Sequence, residues 1–148
     1  LIMSRTFSKV YGLAGLRVGF SVSSKPLANY LNRVRQPFNV NSLALEAAEI
    51  ALADEKHLEK CLKLNKEEKE KLYRFFVSNE YEYIESFANF ISFDCRGKSN
   101  KVFKSLLPKG VITRSMAVYK MPNHLRVTIG LPEENVIFRE SLSSLRES

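Results

Sequence analysis

The sequence predicts an α/β chain: two strands joined by a glycine-bearing loop, then helices ending in one long helix, then a small α+β unit. Three observations predict it. Residues 1–8 and 16–24 alternate with period 2, as strands do. From Ser42 to about Val77 the apolar residues recur at helical spacing beneath a charged face. Beyond that, short alternating runs and short helical runs are separated by Pro and Gly.

Taken in order, residues 1–8 read as the second half of a strand, with Ser4, Thr6 and Ser8 on one face and Arg5 and Phe7 on the other. A loop covers Val10 to Gly15, and "LRVGFSVSS" forms a second strand with Leu16, Val18, Phe20 and Val22 on one side. Pro26 lies near the start of a helix that carries Leu27, Tyr30, Leu31 and Val34 at helical spacing and ends before Pro37. Ser42 can N-cap the next helical run, which has room for one break near Asp54. Leu58, Cys61 and Leu62, repeated in kind by Leu72, Phe75 and Phe76, predict one buried stripe along it. A helix of this length joins subdomains, so the expected parts are residues 1–60 and residues 61–148. In the second part "YEYIES", "NFISFDC", "VITRSM" and "HLRVTIG" read as strands. "SNKVFKSLLPKG" reads as a short helix ended by Pro108 and Gly110, and Pro132 opens a final helix with Glu133 and Glu134 in its first turn.

The chain has 148 residues, of which 45% are hydrophobic and 11% aromatic, enough to build a core and too many for a disordered tail. Its net charge of +7 invites a nucleic-acid partner, yet "DEKHLEKCLKLNKEEKEKLYR" interleaves the cations with Glu, as a solvated helix face does. No helix-turn-helix, finger or aromatic-basic module accompanies the charge, so no nucleic acid is expected as a partner. A basic binding module remains the non-enzyme alternative. Cys61 and Cys95 have no partner at metal or disulfide spacing, which predicts no metal and fits a reduced, cytoplasmic compartment. No apolar run approaches the ~20 residues that span a bilayer, and residues 1–9 lack the pattern of a signal peptide, so no membrane partner is expected.

The chemistry concentrates in "SRTFSKVYGLAGLRVGF", residues 4–20. A bound phosphate dianion needs a guanidinium, hydroxyls and a backbone that can approach closely; Arg17, Thr6, Ser8, Gly12 and Gly15 supply all three. Lys9 lies among them, and an amine beside a phosphate site suits pyridoxal 5'-phosphate, whose aldehyde condenses with the amine while its phosphate anchors it. Two other motifs fail. "TFSK" begins with Thr rather than Ser and has no Ser-Asp-Asn or Lys-Thr-Gly after it, and "GKS" at 97–99 has Ser92 where a P-loop needs glycine.

The whole string closely resembles the lysine segment of the fold type I pyridoxal-phosphate-dependent aminotransferases. "RQPFNVNSLALEAA", "SFANFISF" and "GVITRSMAVYKMPNHLRVTIGLPEEN" resemble the downstream blocks of the histidinol-phosphate aminotransferase branch, so the likeness covers essentially the whole chain. It implies the C-terminal part of that fold: a remnant of the large-domain sheet, a linking helix and a small α+β domain. It also implies that Lys9 forms the Schiff base and then moves the proton between substrate Cα and cofactor, and that Thr6, Ser8 and Arg17 hold the cofactor phosphate. Arg126, with Arg114 as second guanidinium, would bind the acidic end of each substrate, the carboxylate of glutamate or the phosphate of histidinol phosphate. Asn39 and Asn41 are weaker substrate-site candidates, Asn89 is expected to make a structural hydrogen bond, and His57 and His124 read as surface residues.

The implied reaction converts histidinol phosphate and 2-oxoglutarate to imidazole acetol phosphate and glutamate, in histidine biosynthesis. An aromatic or aspartate-type aminotransferase and a threonine-phosphate decarboxylase are the alternatives within the fold. The likeness further implies a homodimer. In the family, the segments that flank the cofactor ring, the aspartate at its nitrogen and the aromatic residue lent by the neighbouring subunit precede the lysine segment. The chain is therefore expected to be a fragment cut within the large domain and inactive by itself.

Overall fold

A computed structural model of the protein describes residues 1–145. The chain divides into two compact units, Leu1–Leu62 and the residues from Lys63 onward.

In the first unit β1 (Ile2–Thr6) pairs antiparallel with β2 (Gly19–Ser23), Ile2 opposite Ser23 and Thr6 opposite Gly19. Gly19 is required by this pairing, because a Cβ there would lie 2.7 Å from the Arg5 carbonyl oxygen. The ladder gains one more bond, Phe7 N–H to Val18 O at 3.2 Å, and these two side chains turn onto Ala44 and Ala48 to form a four-residue buried core. β2 starts later than the sequence pattern predicts: Leu16 belongs to a 3-10 turn, and Phe20 and Val22 are exposed rather than packed.

α1 (Lys25–Val34) carries Pro26 in its first turn and ends ahead of Pro37, as expected. Its expected apolar face is not buried: Tyr30 is 63% and Val34 80% exposed. Periodicity identifies an amphipathic face, but burial also needs an apolar partner. α2 (Ser42–Ala53) is capped by Asn41 rather than Ser42, with Asn41 Oδ1 accepting the Ala44 N–H at 2.8 Å. Ser42 becomes the first helical residue. Asp54 breaks the helical run, and its Oδ1 accepts the His57 N–H at 3.0 Å at the start of α3 (Glu55–Ser78).

The second unit takes in most of α3 and a four-stranded antiparallel sheet ordered β3-β4-β6-β5, with β3 at Tyr83–Ile84, β4 at Phe90–Asp94, β5 at Arg114–Ser115 and β6 at His124–Thr128. α4 (Ser99–Leu106) and α5 (Pro132–Ser143) complete it. Ile91 and Phe93 of β4 and Leu125 and Val127 of β6 meet Leu72 and Phe76 of α3, Leu106 of α4 and Phe138 and Leu142 of α5 in one core. Phe76 is its centre, with ring centroids of Phe93 at 5.0 Å and Phe138 at 6.2 Å. The predicted stripe along α3 holds at Leu72 and Phe76 but not at Leu62, which is 55% exposed.

Glu68 is buried on α3 and holds α5 in place. Asn135 Nδ2 donates to Glu68 Oε2 at 2.9 Å and to the Gly130 carbonyl at 2.9 Å, while Lys71 Nζ donates to Glu68 Oε1 at 2.6 Å. Burial opposes the charge on Glu68; hydrogen bonds from Lys71 and Asn135, with the charges of Lys71 and Arg139, outweigh it and hold the carboxyl below its ordinary value.

Candidate functional site

The loop between β1 and β2 gathers the phosphate-type ligands. Thr6 ends β1, and its Oγ1 accepts the Ser8 N–H at 3.1 Å, which bends the chain at Phe7. Phe7 is buried beneath the bend, its ring 4.9 Å from that of Tyr11. Gly12 N–H donates to Lys9 O at 2.9 Å and Leu13 N–H to Phe7 O at 3.0 Å, closing a tight turn in which Gly12 has φ 71°. Arg17 also adopts a left-handed backbone, φ 55°, a conformation that costs a residue bearing a Cβ about 1–2 kcal/mol. That backbone aims its guanidinium back across the loop: Arg17 Nη1 donates to Ala14 O at 2.7 Å and reaches Ser8 Oγ at 3.5 Å.

Lys9 stands exposed at the crest, and no carboxylate among the described residues forms an ion pair with it or with Arg17. Nothing lies within 4 Å of where a Cβ on Gly12 or Gly15 would be, so the loop is open to a ligand at both glycines. One amine, two hydroxyls and a guanidinium thus share a single open turn, a donor set that fits a phosphate with an electrophilic carbonyl beside it.

His57 ties this loop to α3. Its Nε2 lies 3.0 Å from the Val10 carbonyl, which can only accept, so that nitrogen carries the proton; Cys61 Sγ is 3.4 Å from the same atom. His57 is exposed, as expected, and its ring also bonds the peptide next to Lys9. Asn39 and Asn41 lie on either side of Val40, which packs against the Phe7 core, and each has a local partner. Asn39 Oδ1 accepts from Arg35 Nη1 at 3.1 Å, and Asn41 Oδ1 caps α2.

In the second unit Arg114 of β5 stands directly opposite Arg126 of β6. Like charges in directly opposed positions disfavour a sheet, and no ion pair to either arginine exists among the described residues. Arg126 is half-buried with its guanidinium 4.7 Å from the Phe90 ring centroid, whereas Arg114 is exposed. Two guanidiniums with no ion pair among the described residues thus belong to one sheet face, a donor set of the kind that binds a carboxylate or phosphate.

His124, expected at the surface, is half-buried in β6 with Nδ1 buried and unpartnered among the described residues. Asn89 makes its structural bond through the backbone, accepting the Ile129 N–H at 2.9 Å. Cys61 and Cys95 are both free thiols; burial, then the charge of Asp94, pushes the Cys95 thiol up to about 12, against a backbone hydrogen bond at Leu125, so it is inert packing. Among the described residues no group of three His, Cys, Asp or Glu side chains could hold a metal, and no helix is long and apolar enough to cross a membrane.

The family model for aminotransferase class I and II matches residues 1–137. The chain is 54% identical over 142 residues to a histidinol-phosphate aminotransferase 2 of Pseudomonas fluorescens, covering 96% of this chain and 38% of that one. It is 48% identical over 146 residues to histidinol-phosphate aminotransferase 1 of Idiomarina loihiensis, covering 99% of this chain and 40% of the relative. Its fold matches the crystal structure of histidinol-phosphate aminotransferase from Sinorhizobium meliloti in complex with pyridoxal-5'-phosphate, with TM-score 0.86 and 26% identity over 97% of this chain and 41% of that chain. The chain therefore spans about 40% of the length of the curated relatives it matches.

Proposed function

The chain belongs to the class I and II aminotransferases, and from that membership we propose that it carries the cofactor loop and substrate-anion arginines of an enzyme exchanging amino groups between histidinol phosphate and 2-oxoglutarate. The observation that carries this reading is the turn that sets Thr6, Ser8 and Arg17 around the open crest bearing Lys9. Pyridoxal phosphate fits that donor set; when bound, it supplies an aldehyde for amines to condense with and a ring that withdraws electrons from the substrate Cα–H bond.

Within this reading the residues divide the work. Arg17 donates to the phosphate oxygens with a charge-assisted bond, and the hydroxyls of Thr6 and Ser8 complete the shell. The Lys9 amine, held at the crest by the bond from Gly12 N–H to its carbonyl, is the proton carrier at substrate Cα. Arg126 and Arg114 bind the acidic end of either substrate, because a fork of N–H donors accepts a carboxylate or a phosphate. Asn41 keeps its amide N–H groups for a ligand while its oxygen caps α2, and Asn39 is the lesser candidate beside it. Residues 1–60 then belong with the cofactor-binding domain and 61–148 with the small domain of a cytoplasmic homodimer. By themselves the 148 residues, which span about 40% of the relatives' length, are inactive in transamination.

A chimera tests the reaction: this chain replaces the matching residues of the Pseudomonas fluorescens relative. It should transaminate histidinol phosphate with 2-oxoglutarate and lose that activity on Lys9→Ala. A folded, cofactor-loaded chimera that ignores histidinol phosphate but uses phenylalanine or aspartate would overturn the substrate assignment.

A further inference from the structure

The row that holds the two arginines has a third member. Arg126 of β6 faces Arg114 of β5 on one side and Ser92 of β4 on the other. Directly opposed residues of antiparallel strands share a sheet face, so Arg114, Arg126 and Ser92 form one line across three strands. Ser92 is only 6% exposed, and its Oγ is buried with no hydrogen-bond partner among the described residues. Buried hydroxyls are nearly always bonded, and an apolar side chain would fill this position without that cost. Ile91 and Phe93, its neighbours in β4, show that the strand otherwise favours apolar residues.

On its other side Ser92 stands opposite Ile84 of β3, which offers its hydroxyl no partner. On the same face Asp94 lies two residues on, and its Oδ1 accepts the Arg96 N–H at 2.6 Å. Phe90 lies two residues back and carries the Arg126 guanidinium over its ring. That guanidinium therefore leans toward β4, the strand that carries Ser92.

We propose that Ser92 is the third donor of the Arg114–Arg126 site and makes that site select a phosphate monoester over a carboxylate. A carboxylate presents two coplanar oxygens, which two guanidiniums satisfy; a phosphate monoester presents three terminal oxygens in a tetrahedral array, and the third needs a donor outside that plane. This rests on the reading of Arg114 and Arg126 as the substrate-anion site.

The test titrates the full chain with inorganic phosphate and, separately, with acetate, following the Nε–Hε resonances of Arg114 and Arg126 so that binding at the Lys9 loop does not interfere. Ser92→Ala should weaken phosphate at these resonances about tenfold and leave acetate within about twofold, and Ser92→Thr should restore phosphate. Unchanged phosphate affinity, or equal losses for both anions, in a Ser92→Ala chain whose other amide resonances stay in place would overturn the proposal. Arg126→Ala separates the two layers. If it abolishes both responses at Arg114 while Ser92→Ala does nothing, the anion site stands and only the role of Ser92 falls. If the wild-type resonances respond to neither anion, the site and the inference fall together.

Discussion

The two units of this chain differ in how much apolar core they build. From Lys63 onward, three helices and a sheet close over a core centred on Phe76, with Leu72, Ile91, Phe93, Leu106 and Leu125 fully buried. In Leu1–Leu62 the buried hydrophobic core is four residues, two of them alanines, while Leu43, Leu45, Ile50 and Leu52 of α2 and Val22 of β2 lie more than half exposed. The unit that bears Lys9 is thus poor in its own packing, and the unit that bears Arg114 and Arg126 has the larger core. Density of chemical groups and depth of core are separate properties here: a loop can be set by a few hydrogen bonds over a thin core, whereas opposed arginines need a well-anchored sheet.

The contrast can be broken most severely at Phe76. Phe76→Ala should cost about 3–5 kcal/mol and give the second unit the dye-binding, loosely packed character expected of the first, as read by near-ultraviolet circular dichroism and a hydrophobic fluorophore. Acid should act on the same unit through Glu68. Its folded carboxyl lies below the ordinary value, so the stability it contributes is fully present above the unfolded glutamate range and is lost as pH falls through the depressed folded value. The urea midpoint of this unit should therefore drop on acidification, and Glu68→Gln should flatten that dependence; an unchanged slope would place the acid sensitivity elsewhere.

Smaller changes sharpen the comparison from the other side. Asn41→Ala should cost the first unit about 1 kcal/mol by uncapping α2, and Asn41→Ser should recover most of it, while the second unit's urea midpoint stays put. Least of all, His57→Ala should remove about 0.5–1.5 kcal/mol held in the bond to Val10. Its signature is local: faster amide hydrogen exchange at Gly12 and Leu13, with no change at Phe93 or Leu125.

The same contrast explains what could be read from the sequence. The Lys9 turn was legible because its ligands lie within twelve consecutive residues, Thr6 to Arg17, where spacing alone implies proximity. β4, β6 and the helix opened by Pro132 were legible because alternation and a helix-start signal are local. β3 and β5 shrink to two residues each, since strand patterning does not report where pairing stops. The exposed faces of α1 and α2 show that helical periodicity marks an apolar stripe without supplying what covers it. Contacts between distant positions were the least accessible: Glu68 with Asn135, His57 with Val10, and Ser92 opposite Arg126 all depend on chain reversals that no local pattern specifies, and Arg114 was placed with Arg126 only through the family resemblance. Ser92 nonetheless left a trace, as the lone hydroxyl between Ile91 and Phe93.

In the proposed function the turn after β1 holds a phosphate while Lys9 meets the aldehyde beside it. Incubation of the chain with pyridoxal phosphate, reduction with borohydride and peptide mapping test this directly. The expected result is one dominant label on Lys9, lost in Lys9→Ala and weakened in Arg17→Ala. A label spread over the exposed lysines of α3, with Lys9 unmodified in the folded chain, would contradict it.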